Sequence, residues 1–154
     1  MIGYMRNNQS EFTNLVEFEF QYSDEYLNKA DALVGDVKYE FKSWTPGASN
    51  PWNSFFSGIE NSYTQFLRYL ENTNSLDNLR YVFNGTKVTE QEILAAFQDL
   101  FEIKTSEIFE VVWSNQSLRN DLFGNMDEVE EAYSLFSVLI SDTDSKLYSF
   151  VILS

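Results

Sequence analysis

Apolar and polar residues alternate with a period of two from Val37 to Lys42, where Val37, Tyr39 and Phe41 are interleaved with Lys38, Glu40 and Lys42. This alternation predicts a β-strand with one apolar and one charged face. A second β-prone run, Ala30 to Val34, precedes it across Gly35-Asp36, a two-residue step that predicts a tight hairpin. The register then pairs Val34 with Val37, Leu33 with Lys38, Ala32 with Tyr39 and Asp31 with Glu40. Further on the period becomes helical. Ile59, Tyr63, Phe66, Leu67 and Leu70 form one apolar stripe, with Gln65, Arg68 and Tyr69 on or beside its border. Leu79 to Asn84 reads as a strand closed by an Asn84-Gly85 turn. Thr89 and Glu92 make a capping box ahead of Ile93, Leu94, Phe97, Leu100 and Phe101.

Ser106 to Phe123 reads as one helix or two short ones ending at Gly124. Met126 to Ile140 predicts another helix, and Asp127, Glu128, Glu130 and Glu131 load its first turns in the favourable dipole sense. Lys146 to Leu153 closes the chain as a strand. Two stretches are less regular. Met1 to Ser10 is mostly polar and is expected to fray at its start, while Glu11 to Tyr22 fits both a helix starting at Ser10 and a strand alternating at Val16, Phe18, Phe20 and Tyr22. Thr45 to Ser54 holds both prolines of the chain and is expected to be a loop. Trp44, Trp52, Phe55 and Phe56 around it fit a loop pinned to the core or a platform for bases. The order of elements gives an α/β (α+β) fold with a small sheet, in one domain over residues 1–154.

Composition narrows the chemistry. With no Cys and no His among 154 residues, thiolate zinc sites, Ser-His triads and histidine-based nuclease motifs are excluded. Carboxylate, lysine and metal chemistry remain. A net charge of −14 argues against broad non-specific binding to phosphate backbone, although a local groove can be positive in an acidic protein. No run reaches the length of a membrane span and the N-terminus lacks an apolar signal region, so no membrane association and a cytoplasmic location, in the producing or the target cell, are expected.

The charged strand face carries the candidate site. Asp31 is expected opposite Glu40, and two carboxylates at that distance repel unless something positive sits between them. A divalent cation beside Lys42 satisfies that requirement. The plain alternative is a solvated outer strand face, on which Lys38 and Glu40 serve solubility alone.

Asp31 followed by Glu40-Phe41-Lys42 on a hairpin strand resembles the D…(E/D)-x-K signature of the PD-(D/E)XK nuclease superfamily. With the helix N-S-Y-T-Q-F-L-R-Y-L, it is similar more narrowly to nuclease toxin domains of polymorphic bacterial toxins over about Glu11 to Leu70. The resemblance implies a restriction-endonuclease-like core, a central mixed sheet flanked by helices. It implies metal-dependent hydrolysis of phosphodiester bonds in nucleic acid, DNA favoured over RNA, and a cognate immunity protein as partner. It assigns Asp31, Glu40 and the Phe41 backbone carbonyl to Mg²⁺ or Mn²⁺, with Glu11 joining them and Glu17 second in line. Lys42 and Gln65 become catalytic, and Tyr69, Arg68 and Lys38 substrate-binding. On this reading Lys42→Met should abolish cleavage and leave the fold intact. The rival readings are an acidic interaction domain such as an immunity protein, and an inactive nuclease-fold domain that only binds.

Overall fold

The structure, a computed structural model, describes residues 2–12, 15–21, 29–42 and 62–154. The Thr45 to Ser54 loop, Trp44, Trp52, Phe55, Phe56 and Ile59 lie outside the described residues, as do the side chains of the first strand.

Helix α1 (Ile2–Asn7) and a 3-10 turn (Gln9–Phe12) precede strand β1 (Leu15–Gln21). Strands β2 (Lys29–Val34) and β3 (Val37–Lys42) form the hairpin, followed by helix α2 (Ser62–Asn72) and strand β4 (Leu79–Phe83). Helices α3 (Glu90–Ile103), α4 (Thr105–Ser114), α5 (Gln116–Phe123) and α6 (Val129–Ser141) follow, and strand β5 (Val151–Leu153) is last. The strands make one five-stranded mixed sheet in the order β1-β2-β3-β4-β5. The first two pairings are antiparallel and the last two parallel. The fold is therefore mixed α/β.

The hairpin forms as its sequence dictates. Gly35 takes φ +60°, a conformation that costs a side-chain-bearing residue but not glycine. Val34 pairs with Val37, Leu33 with Lys38 and Ala32 with Tyr39. Alternation then divides the neighbours of β3 between two layers. On one face Leu79, Tyr81 and Phe83 of β4 join Phe66, Phe97, Phe101, Phe136 and Phe150 in the main core. On the other, Ala32, Val34, Tyr39 and Val82 pack with Tyr4 of α1, flanked by Phe12, Phe41 and Ile152.

Several expectations change on the folded chain. The N-terminal stretch is helical from Ile2, and Tyr4 is buried and stacks edge-on to Phe12 and Phe41, which fixes α1 on the second face. The ambiguous stretch resolves to strand over Leu15–Gln21, since it completes the edge of the sheet beside β2. Ser106 to Phe123 is two helices. Asn115 breaks them, accepting from the Leu118 amide while its Nδ2 donates to the carbonyls of Leu70 at 2.7 Å and Thr73 at 2.8 Å. The closing strand is only three residues long, because Lys146–Tyr148 turns as a 3-10 segment and buries Leu147 and Tyr148. Among the described residues no helix is long and apolar enough to cross a membrane.

Candidate functional site

Helix α2 lies antiparallel over β3 and meets its charged face at three successive points. Lys42 Nζ donates to Gln65 Oε1 at 3.2 Å, Tyr69 Oη donates to Glu40 Oε2 at 2.6 Å, and Lys38 Nζ donates to the Asn72 carbonyl at 3.2 Å. Steps of two residues on a strand and three or four on a helix advance by similar lengths, which lets the contacts stay in step. The charged row is therefore not a solvated face. Glu40 is 5% exposed and Lys38 9% exposed.

Within this seam Glu40 and Lys42 form an ion pair, with Lys42 Nζ 2.9 Å from Glu40 Oε1. The same ammonium stands 5.9 Å from the centre of the Tyr81 ring, which the parallel register of β3 and β4 places beside Glu40. Asp31 adjoins the pair. Its Oδ2 accepts from the Phe41 amide at 2.8 Å, and its charge adds to the upward push on the Glu40 carboxyl. Burial is the largest cause of that push, and Lys42 is the first opposing influence, helped by the Tyr69 hydroxyl. Burial likewise lowers the Lys38 ammonium from its ordinary value, with Asp36 opposing.

The structure thus brings together Asp31, Glu40, Phe41, Lys42, Gln65 and Tyr69. It places the other candidates elsewhere. Glu11 stands on the opposite face of the sheet, where Tyr4 and Tyr39 both donate to its Oε2 at 3.0 and 2.9 Å. It is not a ligand beside Asp31 and Glu40, because the turn that carries it packs on the apolar side of β3. Arg68 pairs with Glu71 at 3.1 Å and lines a cleft that includes Glu107 and Glu110 of α4. One residue of helical rotation, about 100°, separates it from Tyr69 and turns it away from the seam. Tyr69 itself is fully buried with its hydroxyl on Glu40, so it orients the carboxylate and does not reach a substrate. Lys38 holds the C-terminal end of α2, four residues along β3 from Lys42. Glu17 lies on β1, where its side chain is outside the described residues. Tyr81 was not foreseen, since only the pairing of β3 with β4 brings its ring under Lys42.

Among the described residues no group of three or more His, Cys, Asp or Glu side chains is arranged to hold a metal ion. Asp31, Glu40 and the Phe41 carbonyl nonetheless fit Mg²⁺ or Mn²⁺ in kind. They are hard oxygen donors, and Mg²⁺ is commonly held by one or two carboxylates with water and substrate phosphate completing its shell. Each Glu40 oxygen accepts one hydrogen bond here and keeps a further lone pair. No protein-family model, curated protein or solved structure matches this chain.

Proposed function

We propose that this protein is a metal-dependent nuclease with a restriction-endonuclease-like core of the PD-(D/E)XK kind, acting as a toxin effector domain, with DNA favoured over RNA as the resemblance implies. The observation that carries the reading is the buried Glu40–Lys42 pair, anchored by Tyr69 and Gln65 from the helix above and adjoined by Asp31. A strand lysine that served solubility alone would not be enclosed with a carboxylate and an amide.

Asp31, Glu40 and the Phe41 carbonyl would hold Mg²⁺ or Mn²⁺, which when bound neutralises phosphate charge and lowers the pKa of water. Lys42, fixed between Glu40 Oε1 and Gln65 Oε1, is a preorganised cation for the negative charge that develops on phosphoryl oxygens. Gln65 accepts from Lys42 through Oε1, which leaves its Nε2 protons to donate to water or phosphate. Tyr69 donates to Glu40 and favours its ionised form, opposing in part the burial that pushes the carboxyl up.

The acidic helical layer favours a second reading. From Glu90 to Asp144 only Lys104 and Arg119 are basic, which suits a basic protein partner, as in an interaction or immunity protein. Incubation of plasmid DNA and of total RNA with the full chain, with Mg²⁺ or Mn²⁺ and with chelator, separates the two. Metal-dependent DNA cleavage that disappears in Glu40→Gln is expected. Intact DNA and RNA under every condition would end the nuclease reading.

A further inference from the structure

The acidic residues are unevenly placed around the clefts of this protein. The cleft between α2 and α4 holds Glu71, Glu107 and Glu110, the one beside Tyr39 holds Glu11, and the small one at the hairpin turn holds Asp36. A further cleft of about 450 Å³ opens where β3 and β4 end, bounded by Asn7 of α1, Lys42, and Asn84 and Thr86 of the turn after β4. No carboxylate side chain lines it. In a chain of net charge −14, a recess free of acidic side chains is open to a polyanion.

It opens on the α1 face of the sheet, lined by Tyr4, Phe41 and Val82, and reaches the seam on the other face through Lys42. Lys42 pairs in parallel register with Phe83, so the last residue of β3 and the turn after β4 share one edge of the sheet. Carboxyl ends of strands are where open α/β sheets receive ligands. The turn is firmly built. Asn84 Oδ1 accepts from the Thr86 amide at 3.0 Å and from Thr86 Oγ1 at 2.7 Å. Gly85 passes so close to the Ser154 carbonyl that a Cβ there would collide with it. With Oδ1 held by Thr86, Asn84 Nδ2 makes no hydrogen bond among the described residues. Lys87, exposed in the same turn, is in no ion pair among the described residues.

We infer that this cleft is a subsite for the sugar-phosphate backbone of a polynucleotide next to the bond held at Lys42, with Asn84 Nδ2 donating to a non-bridging phosphate oxygen and Lys87 adding charge. The inference rests on the nuclease reading for the register of the strand and extends it to a second contact. Neutral amide donors suit this role, since phosphate contacts position a chain without reading its sequence.

Asn84→Asp is the sharpest probe. It preserves the Oδ1 acceptor that holds Thr86 and sets a negative charge where a phosphate would lie. A thermal melt checks that the turn survives, and Lys87→Gln supplies an independent variant if it does not. Anisotropy with a fluorescein-labelled single-stranded DNA oligonucleotide should show at least about tenfold weaker binding for Asn84→Asp, the scale of one charge-assisted hydrogen bond. In cleavage the loss should fall on KM, with kcat nearly unchanged, and Lys87→Gln should reduce the salt dependence of binding. Cleavage by the native chain with KM and binding unaltered in both variants would overturn the subsite and spare the nuclease reading. Binding that weakens in the variants without cleavage by the native chain would sustain the subsite and sink that reading. Neither binding nor cleavage by the native chain would overturn both.

Discussion

Replacing Lys42 by Met tests how Glu40 is held. The side chains of Lys42 and Glu40 are 14% and 7% exposed and 2.9 Å apart, so water can replace little of what the ammonium supplies. Met keeps the unbranched stem, but Glu40 would retain only the Tyr69 hydroxyl as a donor. An ionised carboxylate buried in that state is costly, and it relaxes by taking a proton. From an ordinary value of 4.5, holding the carboxyl neutral costs about 1.4 kcal/mol for each pH unit above it, or roughly 3 kcal/mol near neutrality. That agrees with the ~3–5 kcal/mol typical when a buried pair loses one partner. The expectation that Lys42→Met leaves stability untouched is therefore revised, because it assumed a solvated lysine.

The sign with pH follows from the raised carboxyl. The native state binds its proton more tightly than the unfolded chain does, so the stability Glu40 contributes is complete below about pH 4.5 and is lost as pH rises through the folded value. Removing Lys42 raises that value further and extends the loss upward. Urea unfolding should show a deficit for Lys42→Met below about 1 kcal/mol near pH 5 that grows with pH to at most roughly 4 kcal/mol near pH 7.5. Adding Glu40→Gln deletes the charge, keeps an acceptor for Tyr69, and should recover most of the loss. Cleavage should stay reduced by about a hundredfold or more in both. Equal stability of Lys42→Met and the native chain near pH 7.5 would refute the argument, as would a double variant no more stable than the single one.

Two further outcomes test the frame around the seam. Burial pushes the Tyr4 hydroxyl up to about 12, and those of Tyr39, Tyr63 and Tyr148 higher still; since unfolded tyrosine ionises near 10.0, the native state holds more protons above that pH and stability should fall steeply there. The lowered Lys38 works the other way, one group against four; phenolate absorbance rising near pH 10 with no loss of melting temperature would contradict the burial of these rings. Asn115→Ala should cost roughly 2–3 kcal/mol in urea unfolding, because it removes a helix cap and strips the Leu70 and Thr73 carbonyls of their donor; a loss within about 0.5 kcal/mol would show that the carbonyls are served by water.

What the sequence made legible was local. The Gly35-Asp36 turn, the period-two face of β3 and the Thr89 cap each depend on residues within a few positions of one another, and each forms as read. Where the outcome depends on a distant partner, the pattern misleads. The first ten residues look frayed until Tyr4 finds Phe12 and Phe41. Lys146 to Leu153 is β-prone and reads as a strand, yet Leu147 and Tyr148 are claimed by the helical core. Glu40, Lys42 and Gln65 were legible because strand and helix periods fix which side chains face together. Arg68 and Glu11 were misplaced because being near a motif in sequence does not set which side of an element a residue faces, whereas Lys38 faces the seam as read but is taken up by the Asn72 carbonyl.

The charged row on β3 is also an energetic statement. Lys38, Glu40 and Thr73 are the buried polar residues among those described, and two of the three lie on this row. With 44% hydrophobic residues, the chain has ample apolar material to fill a helix-on-strand contact, and apolar packing of equal volume is often as stable as a buried ion pair or more so. The seam is thus hard to explain as a stabilising device. Its hydrogen bonds fix the register of α2 on β3, but the Asn72 carbonyl contact alone needs no second cation at Lys42. What an apolar seam cannot provide is a carboxylate beside an ammonium whose position is set on two sides, with Asp31 adding charge that pushes the Glu40 carboxyl up. Such an arrangement keeps unfavourable charge in place for use on a substrate, which is the physical ground for assigning chemistry to this strand and only a supporting role to the tyrosines around it.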